Sequence, residues 1–120
     1  MIEFIRTDHV NICVPPEKLE DARLFYKDVI GLPEKYRPDV FGAPGYWFQL
    51  ADIELHIGIE PPKPQSIRHI AFEVKDLDAA AKHLEKHNVQ VLQEAAIPGR
   101  NRFSFHDPFG NRMELLQYVY

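Results

Sequence analysis

The chain carries one pattern twice. Asp8-His9-Val10-Asn11-Ile12-Cys13-Val14 returns in altered form as Arg68-His69-Ile70-Ala71-Phe72-Glu73-Val74, and the two histidines stand 60 positions apart in 120 residues. In each stretch every second residue is apolar (Val10, Ile12, Val14; Ile70, Phe72, Val74), the period of a strand with one buried face. The intervening positions put His9, Asn11 and Cys13 on the other face of the first strand and His69, Ala71 and Glu73 on that of the second. A repeat half the length of the chain restricts the fold to one supersecondary unit used twice. A strand holding an imidazole and a carboxylate opposite its packing face implies a polar hollow on that side.

The stretches between the repeats agree with this. Pro15-Pro16 ends the first strand, because proline cannot donate to a ladder. A helix is expected from Glu17 to Ile30, with Leu19, Ala22, Phe25, Tyr26 and Val29 forming one apolar stripe and Gly31 and Pro33 ending it. Strands are expected at Lys35–Val40, Tyr46–Leu50 and Ile53–Ile59, with Gly42-Ala43-Pro44-Gly45 as a turn. Pro61-Pro62-Lys63-Pro64 is a stiff linker dividing modules 1–62 and 63–120. The second module repeats the order: a strand at 67–74, a helix at Leu77–His87 capped by Asp76 and striped by Leu77, Ala80, Ala81 and Leu84, and a stop at Asn88. Strands follow at Val89–Gln93, Arg102–His106 and Arg112–Tyr118, the last entered through the turn Asp107-Pro108-Phe109-Gly110-Asn111. The expected fold is α+β: one domain, residues 1–120, made of two tandem βαβββ modules with eight strands and two helices.

Several function classes are disfavoured by composition. A net charge of −4 and a pI near 5.8 give no electrostatic support for binding nucleic acid. No apolar run approaches the roughly 20 residues needed to cross a bilayer, and Met1–Arg6 lacks the apolar core of a secretory signal. One cysteine excludes an intramolecular disulfide, so a reducing cytoplasm is the expected location.

The polar positions opposite the apolar strand faces are His9, Asn11 and Cys13, then Glu54, His56 and Gly58, then His69, and Glu114 in the last strand. Carboxylates gathered in a hollow are costly without partners, and one divalent cation satisfies several together. Mixed imidazole and carboxylate ligation suits zinc, nickel, manganese or iron(II). The donors come from separate strands, so no local spacing motif is expected.

Phe25-Tyr26-Lys27-Asp28-Val29-Ile30-Gly31-Leu32, His69-Ile70-Ala71-Phe72-Glu73-Val74 with Asp76-Leu77-Asp78-Ala79, and Asp107-Pro108-Phe109-Gly110-Asn111-Arg112-Met113-Glu114-Leu115, together with Asp8-His9-Val10, resemble the vicinal oxygen chelate superfamily. That group includes glyoxalase I, fosfomycin-resistance proteins, methylmalonyl-CoA epimerase, extradiol dioxygenases and bleomycin-resistance proteins. The resemblance covers nearly the whole chain. It implies a half-open barrel paired in a homodimer and one divalent ion held by His9, His69 and Glu114. A fourth ligand would lie on the fourth strand, where Glu54 and His56 both have the right parity. Subtracting the repeat length from Glu114 gives Glu54, whereas a two-residue difference in turn length between the halves gives His56; the distance to the linker favours His56.

The implied function is that of a metal-dependent lyase or isomerase acting on a small substrate bound through vicinal oxygens, with Glu54 as the proton-moving carboxylate and Asn11, Trp47, Phe48 and Arg102 as substrate contacts. Glutathione-dependent glyoxalase I is disfavoured, because Cys13 stands where that enzyme carries an arginine. The alternative is a non-catalytic protein of the bleomycin-resistance type that sequesters a drug or metabolite in a dimer cleft. His83 and His87, four apart on the second helix, read as an outer helix face; His106 reads as cavity rim, Cys13 as packing and Phe41–Gly45 as a loop able to act as a lid.

Overall fold

The structure, a computed structural model, describes residues 1–119. The chain divides after Pro62 into two compact units, each with a four-stranded sheet and a helical segment. The first unit holds β1 (His9–Val14), α1 (Leu19–Leu24), β2 (Glu34–Lys35), β3 (Tyr46–Leu50) and β4 (Ile53–Ile59), in the sheet order β1-β4-β3-β2. The second holds β5 (His69–Glu73), α2 (Leu77–Lys86), β6 (Leu92–Gln93), β7 (Arg100–His106) and β8 (Arg112–Tyr118), ordered β5-β8-β7-β6. In both, the first and last strands pair parallel and the others antiparallel. The fold is therefore α+β, with the βαβββ order in each half.

The first helical segment has three geometries. A 3₁₀ turn at Pro16–Lys18 leads into α1, and wider π turns at Phe25–Ile30 follow. Phe25 and Tyr26 are both buried there, edge to face at 5.1 Å. Gly31, at φ 89°, ends the run; its N–H and that of Leu32 both reach the Tyr26 carbonyl, at 3.1 and 3.0 Å. The helix is fastened to its sheet by Tyr46, whose hydroxyl donates to Glu20, and by Arg23, which bridges Glu20 and Glu34. The Tyr46 phenol and then Arg23 hold the Glu20 carboxyl below its ordinary range. Ile12, Val14, Ala22, Phe25, Tyr26, Phe48, Leu55 and Ile57 form the buried core of this unit.

Three expected strands are cut short, the one at 67–74 to His69–Glu73. Lys35–Val40 contracts to Glu34–Lys35, since Pro38 has no N–H to pair and the chain then loops out to Gly45. Val89–Gln93 contracts to Leu92–Gln93 because Val89 is spent on the helix end: with Asn88 left-handed at φ 62°, the Val89 N–H bonds the Leu84 carbonyl at 2.9 Å. The start of α2 is capped twice. Asp76 accepts from the Ala79 N–H at 3.0 Å, and Gln117 of β8 accepts from the Leu77 N–H at 2.9 Å. Asp76→Ala is expected to cost about 1 kcal/mol, read as a lower urea midpoint at unchanged slope. The turn before β8 closes on buried Asp107, which accepts from the N–H groups of Phe109 and Asn111 and from the Asn111 side chain. No helix among the described residues is long and apolar enough to cross a membrane.

Candidate metal and substrate site

In the first unit the strand register places His9 beside Glu54 and Asn11 beside His56, with Trp47 on the other side of His56. Alternation turns these side chains to the sheet face opposite the helix. Their rings stack. His9 lies 4.1 Å from His56 at 17°, and Trp47 covers the other side of His56 at 4.2 Å and 4°. Phe41 extends the column at 5.9 Å from Trp47, and the Arg37 guanidinium lies over Phe41 at 4.5 Å.

Each histidine is oriented by a carboxylate. Asp8 accepts from His9 Nδ1 at 2.8 Å, which in the neutral ring leaves Nε2 with the lone pair. Glu54 meets His56 Nε2 at 3.0 Å and Lys35 Nζ at 2.7 Å. The bond to His9 lowers the Asp8 carboxyl, with Arg6 adding to it; Lys35 and then His56 lower Glu54. Asp8 stands in the first-strand motif without a role assigned to it, and Lys35 does not stand out in the sequence. Lys35 needs the β2–β3 register, which sets it opposite Trp47 on the polar face.

Phe48 departs from its expected place. Trp47 and Phe48 are adjacent in β3 and so occupy opposite faces, and Phe48, fully buried beside Leu55, belongs to the helix-covered core. It is a packing residue, not a wall of the polar hollow. Cys13 lies on the polar face within 3.5 Å of the Asn11 amide, and burial raises its thiol.

In the second unit His69 Nδ1 lies 2.9 Å from the Ile67 carbonyl. A carbonyl only accepts, so Nδ1 carries the hydrogen and the lone pair rests on Nε2, 3.5 Å from Glu114 Oε1. Glu114 is 5% exposed. Arg102 Nη1 donates to the same oxygen at 2.9 Å, while its Nε and Nη2 hold the Ala95 carbonyl at 3.1 and 2.8 Å. Arg102, on β7, therefore ties the Ala95 carbonyl of the loop after β6 to Glu114. Arg112 pairs with Glu94 at 2.6 Å on the same face. His83 on α2 and His87 at its C-cap are exposed, their rings 4.8 Å apart.

The registers also bear on the fourth position. Glu114 sits beside Ala71, two residues after His69, and His56 sits beside Asn11, two residues after His9. Glu54 sits beside His9 as Arg112 sits beside His69. By position in the sheet, His56 is the counterpart of Glu114.

The donor chemistry fits a metal ion at His69 and Glu114. Two donors about 2.1 Å from one ion at a tetrahedral angle stand about 3.4 Å apart, against 3.5 Å here. Among the described residues no three His, Cys, Asp or Glu side chains are grouped closely enough to hold a metal by themselves.

Residues 6–115 match the model of the Glyoxalase/Bleomycin resistance protein/Dioxygenase superfamily. A glyoxalase family protein from Bacillus anthracis of known structure is 35% identical, covering 99% of this chain and all of that one, with a TM-score of 0.88. The uncharacterized protein YaeR of Escherichia coli is 43% identical over 61 residues, 48% of this chain and 47% of that protein, so the match spans about half the length of either. The fosfomycin resistance protein FosX of Listeria monocytogenes, solved with Mn(II) and sulfate, shares the fold at a TM-score of 0.77 and 17% identity, covering 99% of this chain and 93% of that one.

Proposed function

The chain belongs to the glyoxalase/bleomycin resistance protein/dioxygenase superfamily, and on that premise we propose that it is a metal-dependent lyase or isomerase acting on a small oxygenated substrate held through neighbouring oxygens. The observation that carries this reading is the pair His69 and Glu114, an imidazole nitrogen with a free lone pair 3.5 Å from a buried carboxylate oxygen, a gap the size of a shared ion. His9, with its tautomer set by Asp8, completes the proposed ligand set, and the register favours His56 over Glu54 as the fourth ligand. When bound, a zinc, nickel, manganese or iron(II) ion would stabilise negative charge developing on the substrate oxygens.

The chain's own groups divide the remaining work. Glu54, ionised beside Lys35 and bonded to His56, is the proposed proton-moving carboxylate. Lys35 keeps its charge local and its oxygens aimed. Trp47 and Asn11, on the same face as His56, are the proposed substrate contacts in this unit. Arg102 holds Glu114 in one orientation and excludes water from its buried oxygen. A homodimer is proposed as the working assembly, supported by the exposed apolar side chains of Ile2, Phe4 and Ile5.

The second reading, sequestration without turnover, is favoured by the stacked surface of Phe41, Trp47, His56 and His9, which suits a flat ligand with no metal. Elemental analysis of untagged protein separates the two. About one equivalent of metal, or its uptake on adding manganese, nickel, zinc or iron(II), is expected. Less than about a tenth of an equivalent with no gain on addition would leave sequestration as the function.

A further inference from the structure

Of the arginines that touch other groups, Arg6, Arg23, Arg102 and Arg112 each bond a carboxylate: Asp8, Glu20 with Glu34, Glu114 and Glu94. Arg37 and Arg100 do not; Arg100 lies over the Tyr118 ring at 4.9 Å in the second unit. Arg37 is half-buried, its guanidinium lies over the Phe41 ring, and it lines a hollow of about 440 Å³ with Gly42, Ala43, Pro44, Gly45 and Tyr46. Asp39 borders the same hollow but is exposed and makes no ion pair with Arg37. Stacking on an aromatic ring uses the face of a guanidinium and leaves its in-plane N–H donors unspent. A planar fork of such donors matches the two oxygens of a carboxylate or phosphate.

The backbone is shaped for this placement. A Cβ at Gly45 would lie 2.6 Å from the Ile57 carbonyl, so the β4 backbone itself requires glycine there, and it would also crowd the Arg37 guanidinium, at 3.0 Å from Nε and 3.1 Å from Cζ. Phe41, the ring under the guanidinium, is the outer member of the column that continues through Trp47 to His56 and His9. Holding a half-buried cation without a counter-ion costs desolvation that the ring only partly offsets.

We propose that Arg37, seated on Phe41, is an oxyanion-binding residue, and that the ligand of this protein carries a carboxylate, phosphate or phosphonate group bound there. Taking that group to be part of the substrate rests on the metal-dependent reading; the anion site itself does not. The loop from Tyr36 to Gly45 then acts as the specificity element. It selects for negative charge, and it passes occupancy of Arg37 to the aromatic column through Phe41.

Trp47 is the single tryptophan of the chain and stands next to Phe41, so its emission reports on the site. Metal-free protein, residues 1–120, titrated with inorganic phosphate at ionic strength held constant with chloride, is expected to show a saturating change in that emission. Arg37→Gln is expected to weaken phosphate binding at least about tenfold, the loss of a charge-assisted bond. Arg37→Lys is expected to fall between the two, and Phe41→Leu to weaken it several-fold. An unsaturable response that chloride reproduces would mean there is no site, and R37Q binding phosphate as the wild type does would overturn the assignment. If R37Q proves unfolded by circular dichroism, F41L binding phosphate as tightly as wild type would overturn it instead. Calorimetry with manganese is expected to give the same metal affinity in wild type and R37Q. Wild-type protein that binds phosphate but no metal would sink the metal-dependent reading and leave this site standing.

Discussion

Glu114→Gln is expected to weaken manganese or zinc binding by at least about a hundredfold, measured by calorimetric titration. Changes to groups that merely orient a ligand already cost about ten- to a hundredfold, and this change removes a proposed ligand's charge outright. The substitution keeps the shape of the side chain, so the effect is one of charge. It also tests Arg102. With Glu114 ionised, the guanidinium has a buried counter-charge at 2.9 Å; with glutamine it keeps an acceptor but loses the charge. Breaking a buried pair by removing one partner costs up to about 3–5 kcal/mol, and the retained amide acceptor should hold the loss to the lower part of that range. Arg102→Met combined with Glu114→Gln removes both charges and is expected to recover most of the stability and none of the metal affinity. If the single variant bound metal like the wild type, Glu114 would be a structural carboxylate, and the imidazole opposite it would lose its proposed purpose.

The double variant separates two roles that the sequence shows as one. Glu114 was legible as a cavity carboxylate because it alternates with Met113 and Leu115, which face the core. Its partner was not, because Arg102 reaches it from a neighbouring strand whose pairing depends on the length of the loop at Asp107–Asn111. The same limit left Glu54 and His56 undecided. The first strands of the two modules are offset by 60 positions, but β4 and β8 align at 58, since Asn11 pairs His56 and Ala71 pairs Glu114. A slip of two preserves parity, so both residues keep the right face and no count of apolar positions separates them.

Strands and caps with a strong local signature were readable: the alternation of β1 and β5, Asp76 at the start of α2, and the left-handed Gly31 and Asn88 at helix ends. The weak strands failed where a local bond outbid the ladder, as when Val89 turned back to Leu84. Lys35 and Arg37 were silent for another reason. A lone charged residue in a loop or at a strand edge has no periodic signal, and its partner is fixed only once the sheet has closed.

The largest stability effect is expected at Phe48. Tyr46-Trp47-Phe48 puts aromatic rings on both faces of β3, so hydrophobicity alone does not say which ring is core. The packing does. Phe48 and Leu55 are both wholly buried, side by side in the middle of the sheet that carries α1, whereas Trp47 lies on the face with Lys35 and His56. Phe48→Ala removes a wholly buried ring from the core of the first unit, a change that costs about 3–5 kcal/mol. That is a large share of the roughly 5–15 kcal/mol by which a domain is stable, so much of the protein should be unfolded at moderate urea where the wild type is intact. Trp47→Phe should behave in the opposite way. It keeps an aromatic surface against His56, so the urea midpoint should move little, while the tryptophan emission is lost. A Trp47 variant as destabilising as the Phe48 variant would mean that the polar face is itself part of the core. The histidines stacked beneath Trp47 would then be packing groups, with no surface left for a substrate.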